Sequence, residues 1–466
     1  GNTIGIYHSR FSDAERVETW MNVKKKDGYR VILGVRSSVF LPFEDLGLVI
    51  VDEEHENTYK QFDPAPRYNA RDAAIMLARL HHAKVLLGTA TPSLESYFNV
   101  LRGKYGLTEL MTRFQDMKLP EIVLADIKEA RRKKQIRGHF TPTLLDAMDY
   151  ALAQGEQVIL FQNRRGFSPY IECELCGWVP KCDHCDVSLT YHKGIGKLVC
   201  HYCGFSQKTS KNCTVCGSSA LSTRGFGTEK IEDDVRAVFP AFKTARLDLD
   251  TTRSRQAYEK IIDDFENHKI DILIGTQMVS KGLDFEKVSV VGILNADNML
   301  FYPDFRAYER SFQLMSQVSG RAGRKYRQGK VIIQSSDTEH QIIQYVRRND
   351  FHQMLHTQLA ERRKFSYPPY FRLISITLKH KDRQMLDKAA EKLAGSLRNV
   401  FPGKILGPEY PYINRIQNMF RKTMLVKIAR EGSPVKAKQV LADKINDLTA
   451  DEKYRAVRVV IDVDPM

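Results

Sequence analysis

The 466-residue sequence has no cysteine outside one window, no long apolar run and no phosphate-binding P-loop pattern. No stretch approaches the ~20 consecutive apolar residues of a membrane-spanning helix, so we do not expect an integral membrane protein. The pattern G-x-x-x-x-G-K-[ST] occurs nowhere, which excludes a P-loop within these residues. Internal repeats and low-complexity segments are also absent, which argues against a repeat array.

All eight cysteines lie within 44 residues as four C-x-x-C pairs, namely Cys173 and Cys176, Cys182 and Cys185, Cys200 and Cys203, and Cys213 and Cys216. Each pair can place two thiolates on one metal ion, so the eight cysteines predict two closed tetrahedral zinc sites. A disulfide framework is disfavoured because the chain is large and shows no secretory pattern. A redox pair would not need four clustered repeats.

The pairing of the four C-x-x-C motifs stays open on spacing alone. Sequential, interleaved and nested arrangements all supply four sulfurs to each ion. The gap of fourteen residues between Cys185 and Cys200 is close to a common zinc-ribbon spacing, and it favours the nested arrangement.

Basic residues exceed acidic ones, which gives a net charge of +15 and a pI near 9.3. Such a surplus favours a polyanionic partner, and nucleic acid is the best candidate. An apolar content of 42% is enough for well-formed cores, and the length predicts about three domains of ~150 residues.

Short apolar runs alternate with helical patterns in two long stretches, which predicts two α/β lobes built on parallel sheets. A β-α-β-β-α-β pattern near the end predicts a compact α+β domain. The predicted segments are a first lobe over 1–116, a linker over 117–140, a second lobe over 141–167 and 223–365, a cysteine-rich insertion over 168–222 and the C-terminal domain over 366–466.

Three acids and a histidine, Asp52–His55, directly follow the apolar strand Leu48–Val51. The carboxyl ends of parallel strands face the crevice where ligands bind in open α/β sheets. One carboxylate there can hold Mg²⁺, and a second can orient or deprotonate an attacking water. The pattern therefore predicts a nucleotide-hydrolysis site rather than a solvated strand end. Hydroxyls at Thr89 and Ser93 follow another strand, where they can bond such carboxylates or cap a helix.

The second lobe carries two further polar strings. The string from Gln317 to Arg324 contains two arginines, Arg321 and Arg324, which we expect on one face of a helix. Arginine forks onto phosphate oxygens and stabilises charge in phosphoryl transfer. The loop from Thr276 to Asp284 follows an apolar strand, and its backbone amides and threonine hydroxyl could hold a phosphate.

Basic and aromatic residues interleave just after the acids, at Tyr59, Lys60, Arg67 and Tyr68. Single-stranded nucleic acid sites need stacking rings and phosphate-binding cations in this kind of arrangement. An ordinary surface loop with a few packed rings explains the pattern about equally well.

Taken together, these strings resemble the motifs of superfamily-2 helicases and, along the full chain, those of the PriA family of replication restart helicases (primosomal protein N′). The resembling strings are Val51–His55 for motif II, Gly88–Pro92 for motif III, Asn163–Phe167 for motif IV, Gly275–Phe285 for motif V and Gln317–Arg324 for motif VI. The family usually has tyrosine where Phe167 stands. It also carries an eight-cysteine insert between motifs IV and V, and its last domain resembles residues 366–466.

The resemblance implies two RecA-like lobes with the first one incomplete, an inserted double-zinc module with four cysteines per ion, and a C-terminal α+β domain. It implies an ATP-dependent helicase that unwinds stalled or forked DNA 3′ to 5′ in the bacterial cytoplasm, at the nucleoid, during replication restart and primosome assembly. The implied cofactors are two structural Zn²⁺ together with ATP and Mg²⁺. The implied partners are forked and single-stranded DNA, single-strand DNA-binding protein, and primosome and helicase-loading proteins.

The same resemblance assigns roles to individual residues. Asp52 would bind Mg²⁺–ATP, Glu53 would act as general base, and Arg321 and Arg324 would reach the γ-phosphate. The other implied nucleotide-binding residues are Glu54, His55, Gly282, Asp284 and Gln317. The implied DNA-binding residues are Tyr59, Lys60, Arg67, Tyr68, Arg165, Thr276 and Lys281. The implied zinc ligands are Cys173, Cys176, Cys213 and Cys216 for one ion, and Cys182, Cys185, Cys200 and Cys203 for the other.

The missing P-loop adds two expectations. In the resembling family a DNA-binding domain, a winged helix and the P-loop lie upstream, so the chain resembles the C-terminal part of a longer protein. We expect these residues neither to bind ATP tightly nor to hydrolyse it alone. The alternative function is a non-catalytic zinc-containing module that binds DNA or protein and carries degenerate motor motifs.

Overall fold

The computed structural model describes residues 3–8, 11–25, 27–110, 112, 118–163, 170–183, 187–192, 196–200, 203–224, 228–248, 251–252, 254–279, 285–323 and 328–465. The chain divides into two compact units, one made of residues 1–97 with 462–466 and the other of residues 98–461. Among the described residues no helix is both long enough and apolar enough to cross a membrane.

The first unit contains two small parallel sheets and their helices. Its elements are β1 (Ile4–Tyr7), α1 (Asp13–Lys24), β2 (Val31–Gly34), β3 (Leu48–Val51), α2 (Ala70–Leu80), β4 (Lys84–Leu87) and the first half of α3 (Leu94–Leu101). β1 pairs in parallel with β2, and β3 pairs in parallel with β4. Ser12 and Glu15 begin α1 with a capping box, and Asn69 caps α2. The α/β alternation predicted for this part of the chain is confirmed.

The elements of the second unit continue in chain order. Before the cysteines come β5 (Glu121–Asp126), α4 (Ile127–Arg132), α5 (Pro142–Ala153) and β6 (Gln157–Phe161). The cysteine segment contains β7 (Tyr170–Cys173), β8 (Thr190–His192), β9 (Lys197–Val199), β10 (Ser206–Lys208) and β11 (Leu221–Arg224). After it come α6 (Thr228–Val238), β12 (Thr244–Leu247), α7 (Arg255–Glu266), β13 (Ile272–Gly275), β14 (Val288–Ile293), α8 (Asp297–Leu300), α9 (Ala307–Ser319), β15 (Lys330–Ser335), α10 (Gln341–Arg348) and α11 (Phe351–Lys364).

Six strands of the second unit form one parallel sheet in the order β12-β13-β6-β14-β15-β5. The neighbouring strands β13 and β6 are buried along their whole length, as expected of a parallel sheet covered on both faces. Leu160 and Ile274 from these strands share a core with Leu144 of α5 and Val235 of α6. The predicted second α/β lobe is confirmed.

The linker predicted over 117–140 is wrong for half of its length, since residues 121–132 form a strand and a helix. Residues Glu121–Asp126 form β5, which pairs with β15 over six residues at the edge of the sheet. Ala125 is buried in the core of the lobe, and Asp126 caps α4 through its side chain. The strand is short and charged residues lie close on both sides, so its apolar stretch was too brief to stand out from the linker.

The C-terminal domain follows α11. Its elements are β16 (Phe371–His380), α12 (Arg383–Val400), β17 (Ile405–Glu409), β18 (Arg415–Ile416), β19 (Met419–Ala429), α13 (Pro434–Ala450) and β20 (Arg458–Val463). The sheet order is β17-β19-β16-β20, and β19 pairs antiparallel with β16, β17 and the short β18. The predicted β-α-β-β-α-β order is confirmed, with β18 as an addition.

A buried ion pair joins the second lobe to the segment that leads into the C-terminal domain. Arg362 of α11 is 2% exposed, and it donates to Glu309 Oε2 of α9 at 2.5 Å and to the Pro368 carbonyl at 3.2 Å. Its guanidinium also faces the ring of Phe305 at 5.3 Å, and that ring stacks on Tyr367 with centroids 4.3 Å apart. A buried charge needs such partners, because its desolvation is otherwise uncompensated.

Substitution Arg362→Met tests the contribution of this pair. It removes the cation beside a buried carboxylate, so we expect the free energy of unfolding of the second unit to fall by about 3–5 kcal/mol. Urea unfolding followed by circular dichroism measures the change. As a control, Lys444→Met breaks the exposed pair with Asp447 and should cost less than about 1 kcal/mol. Losses of equal size in the two variants would contradict the assignment.

Candidate nucleotide site and metal centres

The predicted acids lie directly after β3. Asp52 is exposed, and the side chain of Glu53 is 44% exposed. Glu53 adopts a left-handed backbone conformation with φ +48°, which is uncommon for a residue with a side chain and marks a sharp turn. The Glu53 amide donates to Asp52 Oδ1 at 2.9 Å. Two accessible carboxylates therefore lie at the carboxyl end of a parallel strand, and their oxygens suit Mg²⁺.

Glu54 has a different role from its neighbours. It is 2% exposed, and its carboxylate accepts hydrogen bonds from Arg71 Nη1 at 2.8 Å, the Ser93 amide at 2.6 Å, Ser93 Oγ at 3.0 Å and Ser96 Oγ at 2.7 Å. These bonds tie the turn after β3 to α2 and to the start of α3. Because four donors already occupy its oxygens, this burial argues against the nucleotide contact predicted for Glu54.

His55 connects the acidic turn to the loop after β4. Its Nδ1 lies 2.7 Å from Thr89 Oγ1 and 3.6 Å from Glu53 Oε2. The Thr91 amide donates to the same threonine hydroxyl at 3.0 Å. Of the two roles that the sequence allowed for these hydroxyls, Ser93 takes the bond to a carboxylate, whereas Thr89 bonds the histidine.

The aromatic and basic loop of residues 57–69 begins with the short 3₁₀ turn Asn57–Tyr59. The Tyr59 hydroxyl donates to the carbonyl oxygen of Asp52 at 2.5 Å. Burial, followed by the negative charge of Asp52, raises the pKa of Tyr59. The ring of Tyr68 packs edge-to-face on Phe40 at 4.8 Å, and Arg67 lies 3.7 Å from Asp63. The loop is therefore linked directly to the strand that carries the acids.

Lys60 does not occupy the place that its DNA-binding prediction requires. It is 2% exposed, and its ammonium group forms an ion pair with Asp462 at 2.8 Å. It also donates to the carbonyl oxygens of Val463 at 2.6 Å and Arg67 at 3.0 Å. A phosphate cannot reach an ammonium that is already surrounded in this way, so this geometry argues against a DNA contact by Lys60.

The second unit contains the other predicted site residues. Thr276 follows β13 and is buried, and its amide donates to the Leu247 carbonyl at 3.4 Å. Gln317 is partly buried in the last turns of α9. Arg165, Lys281, Gly282, Asp284 and Arg324 lie outside the described residues.

Arg321 does not lie on a helix, contrary to the prediction. α9 ends at Ser319, and Gly320 is its C-cap. The Arg321 amide donates to the Val318 carbonyl at 3.1 Å, which places the residue in a turn. The glycines on either side, Gly320 and Gly323, explain the difference, because glycine favours helix ends and Gly323 has φ +63°.

The first and last C-x-x-C pairs form one cluster. The sulfur atoms of Cys173, Cys176, Cys213 and Cys216 all lie within 4.8 Å of one another. The Sγ atoms of Cys173 and Cys216 are 3.6 Å apart, as are those of Cys176 and Cys213. A tetrahedral zinc with bonds of about 2.3 Å separates its sulfurs by about 3.8 Å, whereas a disulfide would hold them at about 2.05 Å. The cluster therefore fits zinc.

The second cluster contains Cys182, Cys200 and Cys203, whose sulfur atoms also lie within 4.8 Å of one another. The Sγ atoms of Cys182 and Cys203 are 3.6 Å apart. Cys185, the predicted fourth ligand, lies outside the described residues. This grouping agrees with the nested pairing for every described cysteine, and the sequential and interleaved alternatives do not fit it.

Backbone hydrogen bonds shape each described cysteine turn in the same way. The amide of the first cysteine donates to the carbonyl five residues later, as in Cys173 to Trp178 at 2.9 Å and Cys200 to Phe205 at 2.8 Å. The Val215 amide also donates to Cys213 Sγ at 3.4 Å. The backbone bonds set the shape of each turn, and an amide that donates to sulfur, such as that of Val215, stabilises the thiolate form of the cysteine.

The thiols of the first cluster differ in acidity before any metal binds. Burial raises the pKa of Cys176 to about 12. Burial also opposes ionisation of Cys213, but the amides of Cys216 and Val215 outweigh it and lower the pKa of Cys213 to about 7. A divalent cation would deprotonate all four thiols, since thiolate is the form that binds zinc.

The cysteine module packs against both the second lobe and the C-terminal domain. Tyr170 of the β7–β11 stem donates from its hydroxyl to Asn298 at 3.0 Å, and a Cβ on Gly177 would lie 2.7 Å from Lys128 Nζ. On the other side, Gly204 lies against Glu409 of the C-terminal domain. The approach is so close that a Cβ at this position would lie 1.7 Å from Glu409 Oε1. Leu406 of β17 packs into the apolar cluster around the second group of cysteines.

Three family models match segments of the chain. Residues 219–326 match the helicase conserved C-terminal domain, residues 182–208 match the Cys-rich region domain of PriA DNA helicase, and residues 363–466 match the primosomal protein N C-terminal domain. Together with the parallel-sheet lobe and the cysteine clusters, these matches define a helicase-type protein with a zinc module.

Relatives that match this chain over its whole length narrow the class of protein further. Replication restart protein PriA of Bacillus subtilis (strain 168) is 39% identical over 100% of this chain and 57% of its own length. The proteins of the same name from Chlamydia pneumoniae and Treponema pallidum (strain Nichols) are 38% and 35% identical over 100% of this chain, and the matches cover 62% and 69% of their lengths. The chain belongs to the PriA family of replication restart proteins. It spans 57% and 62% of the length of the first two relatives.

Several residues that hold the site together carry no signal in the local sequence. Arg71 and Ser96 secure Glu54, and Asp462 secures Lys60, yet each lies far along the chain from its partner. Only a three-dimensional fold brings such pairs together. Ser93 alone carried a usable signal, as a helix cap after the Gly88–Pro92 turn.

Zinc content tests the nested pairing. We expect two zinc ions per chain by native mass spectrometry. The double variant Cys173→Ser with Cys213→Ser affects one cluster, so it should keep one ion. The double variant Cys173→Ser with Cys200→Ser affects both clusters, so it should lose both ions. The reverse pattern would contradict the nested arrangement.

Proposed function

We propose that this chain supplies the motor core of an ATP-dependent DNA helicase that unwinds stalled or forked DNA 3′ to 5′ during replication restart and primosome assembly. The observation that carries the proposal is the accessible pair Asp52 and Glu53 at the carboxyl end of β3, beside the His55–Thr89 link. Membership of the PriA family supports DNA as the substrate.

The residues near β3 suit the first half of a phosphoryl-transfer site. Asp52 offers an exposed carboxylate at a strand end, which suits Mg²⁺ held partly through water. When bound, Mg²⁺ would neutralise phosphate charge. Glu53 follows directly and is partly exposed, so it can orient or deprotonate the attacking water. We leave Glu54 out of the nucleotide-binding set because its carboxylate is buried in structural bonds.

The proposed nucleotide-binding set also includes residues of the second unit. Arg321 and Arg324 would form forked bonds with the γ-phosphate and stabilise the charge that develops during transfer. The further residues in this proposed set are Gly282, Asp284 and Gln317.

We propose that DNA contacts the loop of residues 57–69 and the polar loops of the second lobe. Tyr59 links the first of these to the site, because its hydroxyl bonds the Asp52 carbonyl. DNA that displaced the loop would therefore disturb the strand end that carries the acids. The full proposed DNA-binding set is Tyr59, Arg67, Tyr68, Arg165, Thr276 and Lys281, without Lys60, and His55 stays in the nucleotide-binding set.

A cluster of arginines around aromatic rings supports a protein partner. The guanidinium of Arg430 faces the ring of Phe98 at 5.3 Å, and Arg102 faces the same ring at 5.7 Å. Burial, followed by the charges of Arg102 and Arg372, lowers the pKa of Arg430. An acidic protein segment would relieve this repulsion. We propose single-strand DNA-binding protein as that partner, while helicase-loading and primosome proteins rest on the family alone.

For these 466 residues in isolation, we propose that ATP turnover is absent, because the sequence contains no P-loop. In that state the chain would act as the alternative predicted from the sequence, a zinc-containing module that binds DNA or protein. Measurement of DNA-stimulated ATP hydrolysis by this polypeptide decides the point, since robust turnover would disprove it.

Substitution Glu53→Gln in the full-length natural protein tests the catalytic assignment. We expect DNA-stimulated ATP turnover to fall about 10²–10⁴-fold, since the proposed general base is lost while the shape of the side chain is kept. Fork binding by fluorescence anisotropy should change less than threefold. Glu44→Gln, at an exposed glutamate of the same unit, is the matched control and should leave turnover unchanged.

The same protein also tests direction and rival functions. Strand displacement should occur on duplexes with a 3′ single-stranded tail and fail on those with a 5′ tail. Equal displacement on both would refute the proposed polarity. Zinc and DNA binding without any ATP turnover in the unmodified protein would favour the non-catalytic module instead.

A further inference from the structure

Lys60 is a buried lysine, and two of its three partners are Asp462 and Val463, which lie far along the chain. Its ammonium group contacts Asp462 Oδ1 at 2.8 Å, the Val463 carbonyl at 2.6 Å and the Arg67 carbonyl at 3.0 Å. Lysine is rarely buried at its charged end, because removal of an ammonium from water is costly unless it is paired and hydrogen-bonded. Two carbonyl oxygens accept hydrogen bonds from the ammonium group, and the Asp462 carboxylate compensates its charge. Residues 462–466 belong to the same compact unit as the loop.

The contacts of Lys60 lie at the base of the loop of residues 57–69. Lys60 and Asn69 form an antiparallel bridge, and the Gln61 amide donates to the Tyr68 carbonyl at 2.8 Å. Arg36 Nη1 donates to the Lys60 carbonyl at 2.9 Å from outside the loop. The two ends of the loop are therefore held together at the position of the buried ammonium.

The loop is joined to the acidic turn immediately before Lys60. The Tyr59 hydroxyl bonds the Asp52 carbonyl at 2.5 Å, and Tyr59 is adjacent to Lys60 in the chain. A shift of Lys60 would therefore move the tyrosine that contacts the catalytic strand end. Neither Lys60 nor Asp462 touches that strand end itself, so both act through the loop.

We propose that Lys60 and Asp462 are positioning residues that form a clasp. The carboxyl-terminal residues of the chain hold the base of the 57–69 loop, keep Tyr59 on the Asp52 carbonyl, and so set how strongly DNA at the loop stimulates hydrolysis. The structural part of this inference stands on the contacts alone. The part about stimulation rests on the function proposed above.

Hydrogen–deuterium exchange on the 466-residue chain tests the structural part. Lys60→Met and Asp462→Asn each remove one side of the ion pair, and the second variant keeps the lysine in case the first fails to fold. We expect amides of residues 57–69 to exchange at least tenfold faster in both, while peptides from α2 stay unchanged. The matched controls are Lys84→Met and Asp45→Asn, at exposed positions of the same unit, and they should match the wild type.

Two exchange results would overturn the clasp. Unchanged exchange in the loop of both variants would show that the ion pair does not hold it. Faster exchange throughout the first unit, α2 included, would show that Lys60 merely keeps the unit folded.

ATP turnover by the full-length natural protein tests the positioning role. In Asp462→Asn we expect the ratio of DNA-stimulated to basal turnover to fall about tenfold, with basal turnover and the Kd for forked DNA within threefold of wild type. An unchanged ratio beside a loosened loop would overturn the positioning role. If the unmodified protein showed no DNA-stimulated turnover, the proposed function would fail, and the exchange result would still decide the clasp.

Discussion

The sulfur cluster of Cys173, Cys176, Cys213 and Cys216 lies at the base of the cysteine module, and the neighbouring lobe depends on it. β6, a central strand of the lobe sheet, comes before the module in the chain. α6, which packs on that sheet, comes after it. Because the outermost cysteine pairs share one centre, the chain leaves and re-enters the lobe at one place, where β7 and β11 pair. Sequential pairing would place the two ends of the module on different metal ions. The nested arrangement thus makes a long insertion compatible with a continuous parallel sheet.

Several charges that look functional in the sequence are structural in the fold. Glu54 has an acidic neighbour on one side and a histidine on the other, yet it bonds Arg71, Ser93 and Ser96 inside the first unit. Arg362 is likewise one of several basic residues at the end of α11, and its burial against Glu309 distinguishes it. Burial of a charge is costly, so each such residue collects several partners. Asp52 differs from these residues because its carboxylate is exposed to solvent.

The parts predicted well from the sequence are those that local pattern determines. Buried apolar runs predicted the strands of the second lobe, and the repeated C-x-x-C spacing predicted the sulfur clusters that the described cysteines form. Prediction failed where the cause lies far away in the chain or in a short element. Lys60 bonds a carbonyl 403 residues away, which no local pattern reveals. β5 is a short edge strand whose pairing with β15 exists only in the folded sheet. α9 ends before Arg321 because of Gly320 and Gly323. In the sequence the same glycines also suit a close approach to a ligand, so they did not mark the end of the helix.

Within the second unit, packed side chains link the cysteine module to the helix that ends before Arg321. Leu406 packs both with the apolar cluster around Cys182 and Cys200 and with the cluster that contains Tyr367. Tyr367 stacks on Phe305, which immediately precedes α9 and faces the guanidinium of Arg362. α9 in turn ends just before Arg321. Loss of a metal ion from the cluster of Cys182, Cys200 and Cys203 would loosen this series of packed side chains. The turn that contains Arg321 would then lose the support of α9. The module therefore acts as a joint between the lobe and the C-terminal domain, whereas a free projection would leave α9 unaffected.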